Sequence, residues 1–218
     1  MENTRHPLLT KWYLRYLDDA DAAGFIASVS QRYLQATLER VAENSVPLDR
    51  RGAVLALGFL GDIRCNEVLG RALRDRDRSV RILAENSIRE VWLRDGLPAQ
   101  RQELEILIRL NDSNDHEEVI ERATRLIDEA PGYAEVWNQR AIAYFQLRRF
   151  EDAAEDCQQT LSLNPLHFIA ALGMGHCYLE LGEGFAALEC FRRSVDLNPE
   201  LEAVRGQIRY LRRALEDA

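Results

Sequence analysis

Three prolines set the frame. Pro131, Pro165 and Pro199 recur at a constant offset of 34, and the last two close the same tripeptide, Leu-Asn-Pro, at 163–165 and 197–199. Proline has no amide hydrogen and its ring blocks the preceding turn, so each one ends a helix. A fixed interval between such stops marks a recurring unit. A period of this size constrains the fold more than composition does, because a single short unit cannot bury its own apolar face and must stack on its neighbours.

Laying residues 134–167 over 168–201 puts Tyr144 on Tyr178, Leu147 on Leu181, Ala153 on Ala187, Asn164-Pro165 on Asn198-Pro199, and Ala141 on Gly175. Each unit reads as two helices. In the first unit Trp137, Ala141, Tyr144 and Leu147 recur at helical spacing over 134–147. Ala153, Ala154, Cys157, Thr160 and Leu161 do so over 151–163. Small residues stand where helices cross closely; Trp137, Tyr144, Tyr178 and Phe191 fill the gaps. These residues, with the period of 34, resemble the tetratricopeptide (TPR) family. A poorer unit precedes them at 98–133, with Leu107, Leu110 and Ala123 in register and Val119 where the family prefers alanine. After Pro199, residues 202–218 read as a capping helix. Its apolar stripe is Val204, Ile208, Leu211 and Leu215, with Arg205, Arg209, Arg212 and Arg213 beside it.

The N-terminal half carries a second repeat. Asp49, Arg50, Leu55, Ala56 and Leu60 fall on Asp77, Arg78, Leu83, Ala84 and Ile88 at an offset of 28. Two helix pairs, about 30–62 and 63–95, follow from this. The segment "AVLALGFLGD" (53–62) followed by "ALRDRDRSVRILA" (72–84) resembles short HEAT-type repeats, close to the variety found in phycobilin lyase-like proteins. Residues 8–19 suggest one further helix with a stripe of Leu9, Trp12, Tyr13, Tyr16 and Leu17. It belongs to a capping region at 1–29, with partner docking as the alternative role. Gly96 and Pro98 end the repeats of residues 30–97. The fold class expected is all-α, an α-solenoid of HEAT-like and TPR helix pairs, continuous across a short linker.

Composition excludes several functions. No apolar run is long enough to span a bilayer. Residues 99–218 hold 13 basic against 22 acidic side chains, which argues against a nucleic-acid grip. Cys65, Cys157, Cys177 and Cys190 are scattered, as buried small apolar groups would be and a disulfide framework would not. No nucleophile elbow, phosphate loop or paired Cys/His motif is present. The acidic run 111–121 lacks calcium-loop spacing and its glycine. His6 is near the terminus, and His116 and His167 fall in inter-helix turns. His176 and Cys177 are adjacent on a helix and diverge by about 100°, so they are no nucleophile–base pair. No catalytic residue, cofactor or metal is expected.

The resemblance supplies the functional expectation. First helices of TPR units line a concave face, and the recurrent ligand positions carry over to Glu135, Asn138, Ile142, Phe145 and Gln146, then Ile169, Leu172, His176, Leu179 and Glu180. The family's chaperone-tail clamp needs a lysine, and Lys11 is the only one in the chain. Gln139, Ile169 and Gly173 also depart from that clamp, so no chaperone tail is expected. The reading is a non-enzymatic, cytoplasmic scaffold or adaptor that binds a protein or peptide partner, with neither nucleic acid nor membrane involved. A lyase-like or enzyme-accessory role and self-association as a homo-oligomer stay open.

Overall fold

The computed structural model describes residues 8–216; His6, at one end, and residues 217–218 of the expected capping helix lie outside the described residues. Among the described residues regular structure is helical throughout, thirteen α-helices and one 3-10 turn. The fold class is all-α. Two lobes divide between Trp92 and Leu93.

The N-terminal lobe contains α1 (Leu8–Asp19), α2 (Ala22–Ser30), α3 (Gln35–Asn44), α4 (Pro47–Leu60), a 3-10 turn (Ile63–Cys65), α5 (Asn66–Ala72) and α6 (Arg78–Leu93). Helix α4 is its axis: every residue from Gly52 to Gly58 is buried, so it is covered on all sides. Leu9 and Tyr13 of α1 lie on Gly52, where a Cβ would stand 3.2 Å from the Tyr13 Cβ. Tyr16 meets Phe25 and Phe59 at 5.6 and 6.2 Å between ring centres. Leu17 departs from the expected stripe and is 59% exposed. Helix α2 is announced by no periodicity; Asp21 starts it by accepting the Gly24 amide at 2.9 Å.

Charge pairs tie the lobe together. Arg50 forks onto Asp75 at 2.8 and 2.6 Å, and Arg51 onto Asp77 at 3.0 and 2.6 Å. Asp77 also accepts the Val80 amide at the start of α6. The Arg51 guanidinium holds the Asp77 carboxyl below the usual carboxylate range. Gly58 and Ser87 let α4 and α6 cross closely, and the Ser87 hydroxyl donates to the Val54 carbonyl at 3.0 Å.

The C-terminal lobe stacks as an α-solenoid: α7 (Pro98–Asp112) with α8 (His116–Glu129), α9 (Ala134–Gln146) with α10 (Phe150–Leu163), α11 (Phe168–Glu180) with α12 (Gly184–Leu197), then α13 (Glu202–Glu216). The period is visible in the backbone itself. Asn114, Arg148 and Gly182 follow one another at the same offset as the prolines, and all three are left-handed, at φ of 64°, 60° and 78°. After each, an amide closes the same six-residue loop: Asp115 to the Leu110 carbonyl, Arg149 to Tyr144, Glu183 to Tyr178, at 2.8–2.9 Å. That is the Schellman closure of a helix C-terminus. The first pair therefore turns as the other two do, although its side chains match the pattern least.

The second turn of each unit explains the repeated tripeptide. Asn164 and Asn198 are buried, and their side-chain oxygens accept the Leu166 and Glu200 amides two residues on. Each folds the chain around its proline. Packing repeats with a compensated exchange. Where one pair sets Ala141 beside Cys157, the next sets Gly175 beside Phe191 at the equivalent positions. A Cβ on Gly175 would stand 2.5 Å from the Phe191 ring. Gly175→Ala should destabilise the protein by about 2 kcal/mol, the cost of overpacking a filled crossing. Adding Phe191→Leu should recover part of that loss, both read as shifts in the urea-unfolding midpoint.

Candidate functional site

Three polar constructions set α7 to α11 against one another. The first centres on Glu135, which is 6% exposed. Its Oε1 accepts from Asn138 Nδ2 at 2.9 Å and Gln139 Nε2 at 2.8 Å; its Oε2 faces His167 Nε2 at 3.0 Å. His167 Nδ1 accepts the Ala170 amide at 3.0 Å, capping α11. Since Nδ1 is an acceptor, the imidazole proton is assigned to Nε2, which donates to Glu135. Burial would raise the Glu135 carboxyl, but His167, then Gln139 and Asn138, outweigh it and hold its pKa below the usual range.

The second construction extends the first. Asn111 at the end of α7 donates to both the carbonyl and the side-chain oxygen of Gln139, each at 3.0 Å. The third is the Arg140–Asp156 pair. Arg140 forks onto Asp156 at 2.7 and 2.9 Å and donates to Thr124 at 2.8 Å, joining α8, α9 and α10. Its guanidinium lies 5.0 Å from the Trp137 ring and 5.6 Å from Tyr144, and Arg149 covers Tyr144 from 4.4 Å. Burial pushes the Asp156 carboxyl up against the pull of Arg140.

Between α9 and α11 this framework leaves a cavity of about 170 Å³. Asn138, Ile142, Phe145 and Gln146 of α9 line one side, and Ile169 and His176 of α11 the other. The floor is built from small residues: Ala141, Cys157, Gly173 and Cys177. Phe145 is braced from behind by Phe150, 5.4 Å away between ring centres and itself covered by Arg148. The His176 ring stands edge-on to Phe191 at 5.1 Å. Burial lowers its pKa, so at neutral pH it meets the cavity uncharged, against the weaker opposite pull of Glu180. All four cysteines are buried free thiols. Burial pushes Cys190 to about 11, and Cys157 is raised by its hydrogen bond with Cys177 and by burial. Cys177, the other member of that pair, is lowered by the same hydrogen bond against the opposing push of burial.

Six of the ten residues expected along the groove line this one cavity: Asn138, Ile142, Phe145, Gln146, Ile169 and His176. The other four do not. Glu135 is beneath the surface, committed to His167. Leu172 packs toward Phe191, Val204 and Ile208. Leu179 and Glu180 are exposed beyond the cavity's far end. The floor escaped sequence reasoning; the signal available for it was a set of small residues on facing helices. Among the described residues no group of His, Cys, Asp or Glu could hold a metal ion. None of their helices is long and apolar enough to cross a membrane.

Residues 134–166 match the model of the tetratricopeptide repeat family, and the C-terminal lobe carries that repeat. A TPR repeat-containing protein of Rhizobium etli is 26% identical over 152 residues, covering 68% of this chain and 72% of the relative. DnaJ homolog subfamily C member 7 of Mus musculus is 33% identical over 84 residues, 38% of this chain but 17% of that protein. Two solved structures share the fold. One is the first TPR domain of Spaghetti (RPAP3) bound to the HSP90 peptide SRMEEVD: TM-score 0.52, 24% identity, 54% of this chain and 93% of that one. The other is the Arabidopsis OM64 TPR domain: TM-score 0.51, 22% identity, 53% of this chain and 95% of that one.

The buried carboxylate yields a pH prediction. A carboxyl whose folded pKa is depressed stabilises the fold above the unfolded value of about 4.3 and loses that contribution as pH falls through the folded pKa. Glu135→Gln should cost about 3 kcal/mol at neutral pH, because the amide turns a donor toward existing donors. Urea titrations across pH should show the gap between variant and wild type narrowing as the solution is acidified below that value.

Proposed function

We propose that the protein is a non-enzymatic scaffold or adaptor that holds a peptide or helix of a partner protein between α9 and α11. One uncharged apolar side chain of the partner is seated in the cavity. The observation that carries this is the convergence of six groove positions on one cavity with a small-residue floor. Its volume of about 170 Å³ falls below the roughly 300–1,000 Å³ of sites that enclose a whole small ligand. That size suits an anchor side chain better than a cofactor. Asn138, Gln146 and His176 at the rim offer neutral hydrogen-bonding groups to a partner backbone, and the cavity presents no cation to a carboxylate.

Within this reading residues 98–201 form three TPR pairs, the first at 98–133, and residues 202–218 cap them; residues 30–97 are HEAT-like pairs behind a capping region at 1–29. The recurring left-handed turn residue supports including the first TPR pair. The Arg71–Glu43 pair at an offset of 28 supports the N-terminal division. A cytoplasmic location belongs to the same reading.

Display selection of a random peptide library on the full chain tests the proposal. Enriched peptides should share an apolar residue and lose at least about tenfold in affinity for an Ile142→Ala/Phe145→Ala/His176→Ala variant that still unfolds cooperatively. Absence of enrichment, or equal binding by the variant, would overturn it. The Spaghetti (RPAP3) domain holds the acidic peptide SRMEEVD. This chain has no lysine beyond Lys11, so titration of that same peptide should give no saturable groove binding at physiological salt.

A further inference from the structure

Helix α13 presents a charge that the rest of its lobe does not. Residues 93–218 carry 14 basic and 23 acidic side chains, yet Glu202–Glu216 holds four arginines against two glutamates. Arg205, Arg209, Arg212 and Arg213 fall within a sector of about 100° on the helix. All four are exposed. Arg212 pairs with Glu216 at 3.2 Å, while Arg205, Arg209 and Arg213 make no ion pair among the described residues. Tyr210, 77% exposed, stands beside them.

The repeat register shows that this ridge occupies places used otherwise in the preceding pairs. One repeat back, Arg205, Arg209 and Arg212 fall on Ala171, Gly175 and Tyr178; two repeats back, they fall on Trp137, Ala141 and Tyr144. In those pairs these positions hold small or aromatic residues that pack against neighbouring helices. Helix α13 turns the same positions outward as cations. Its apolar side is already used: Val204, Ile208 and Leu211 pack with Ala187 and Phe191, and Leu215 lies against Gly184.

We propose that this arginine ridge is a second docking surface, separate from the cavity, for a short Asp/Glu-rich segment of a protein. Charge complementarity selects an anion, and guanidinium forks suit carboxylates. The ridge from Arg205 to Arg213 spans about 12 Å, the length of roughly four extended residues. A long polyanion such as nucleic acid would run off the ridge onto the acidic remainder of the lobe. An anionic membrane would gain no free apolar face, because Val204, Ile208 and Leu211 already pack against the lobe.

The test is fluorescence anisotropy on the full chain at about 150 mM salt, with a labelled glutamate-rich peptide as probe. Its glutamine counterpart, phosphatidylserine vesicles and a DNA duplex serve as competitors. Binding on the order of tens of micromolar, absent for the glutamine peptide, is expected. Arg205→Glu/Arg209→Glu/Arg213→Glu should weaken it at least tenfold, while Ile142→Ala/Phe145→Ala leaves it unchanged. Should the triple reversal unfold, Arg209→Gln/Arg213→Gln gives the same reading with a smaller loss. No binding, binding indifferent to these arginines, or tighter competition by vesicles or duplex would overturn the proposal.

Discussion

A carboxylate taken out of water must find donors, and Glu135 finds three. Two come from its own helix and fix the first turn of α9. The third comes from His167, in the turn that opens the next pair, whose other nitrogen caps α11. One buried anion therefore couples the starts of two consecutive first helices, the pair between which the cavity opens. Removing either partner would leave a polar group unsatisfied in a dry setting, a larger penalty than the bond's net worth when made. The second brace, Arg140 on Asp156, works across the unit and sets α9 on α10. Spacing of the cavity walls follows from these two fixings.

Much of this was legible in the residues. The proline interval, the aromatic and alanine positions and the cap stripe follow from periodicities of the backbone, which each residue satisfies locally. The rim of the cavity was legible for the same reason: Asn138, Ile142, Phe145 and Ile169 sit where a helix facing its neighbour must place them. What stayed hidden depends on distant partners. Glu135 reads as a groove position open to a partner; only His167, folded back from the next turn, makes it an interior residue. Asp156 is hidden likewise, its burial resting on Arg140 of the preceding helix. Helix α2 was invisible because "AAGFIASVS" carries an internal glycine and no clean apolar period. Leu17 continues the stripe of α1 in sequence but runs past the surface that α4 offers.

The first helix pair of the C-terminal lobe shows the two kinds of information separating. Its side chains fit the repeat pattern poorly, with Val119 at a place that favours alanine, yet its backbone turns through the same left-handed residue. Asn114 tolerates that conformation better than most residues, Gly182 adopts it without strain, and Arg148 adopts it at a cost that its stacking over Phe150 helps offset. Turn geometry persists where surface chemistry has drifted, because closure of the pair depends on the turn.

The exchange of Ala141 and Cys157 for Gly175 and Phe191 also bears on how such a chain can change over generations. Each crossing is filled by two residues on different helices, and the large member of one pair tolerates only the small member of its own. Shuffling one helix between neighbouring repeats would bring an alanine against a phenylalanine or leave glycine and cysteine facing a void. Duplication or recombination that carries a whole helix pair avoids both. The unit that such an exchange would have to carry is thus the pair with its shared crossing, joined at the Asn-Pro turns between pairs rather than at the tighter turns within them.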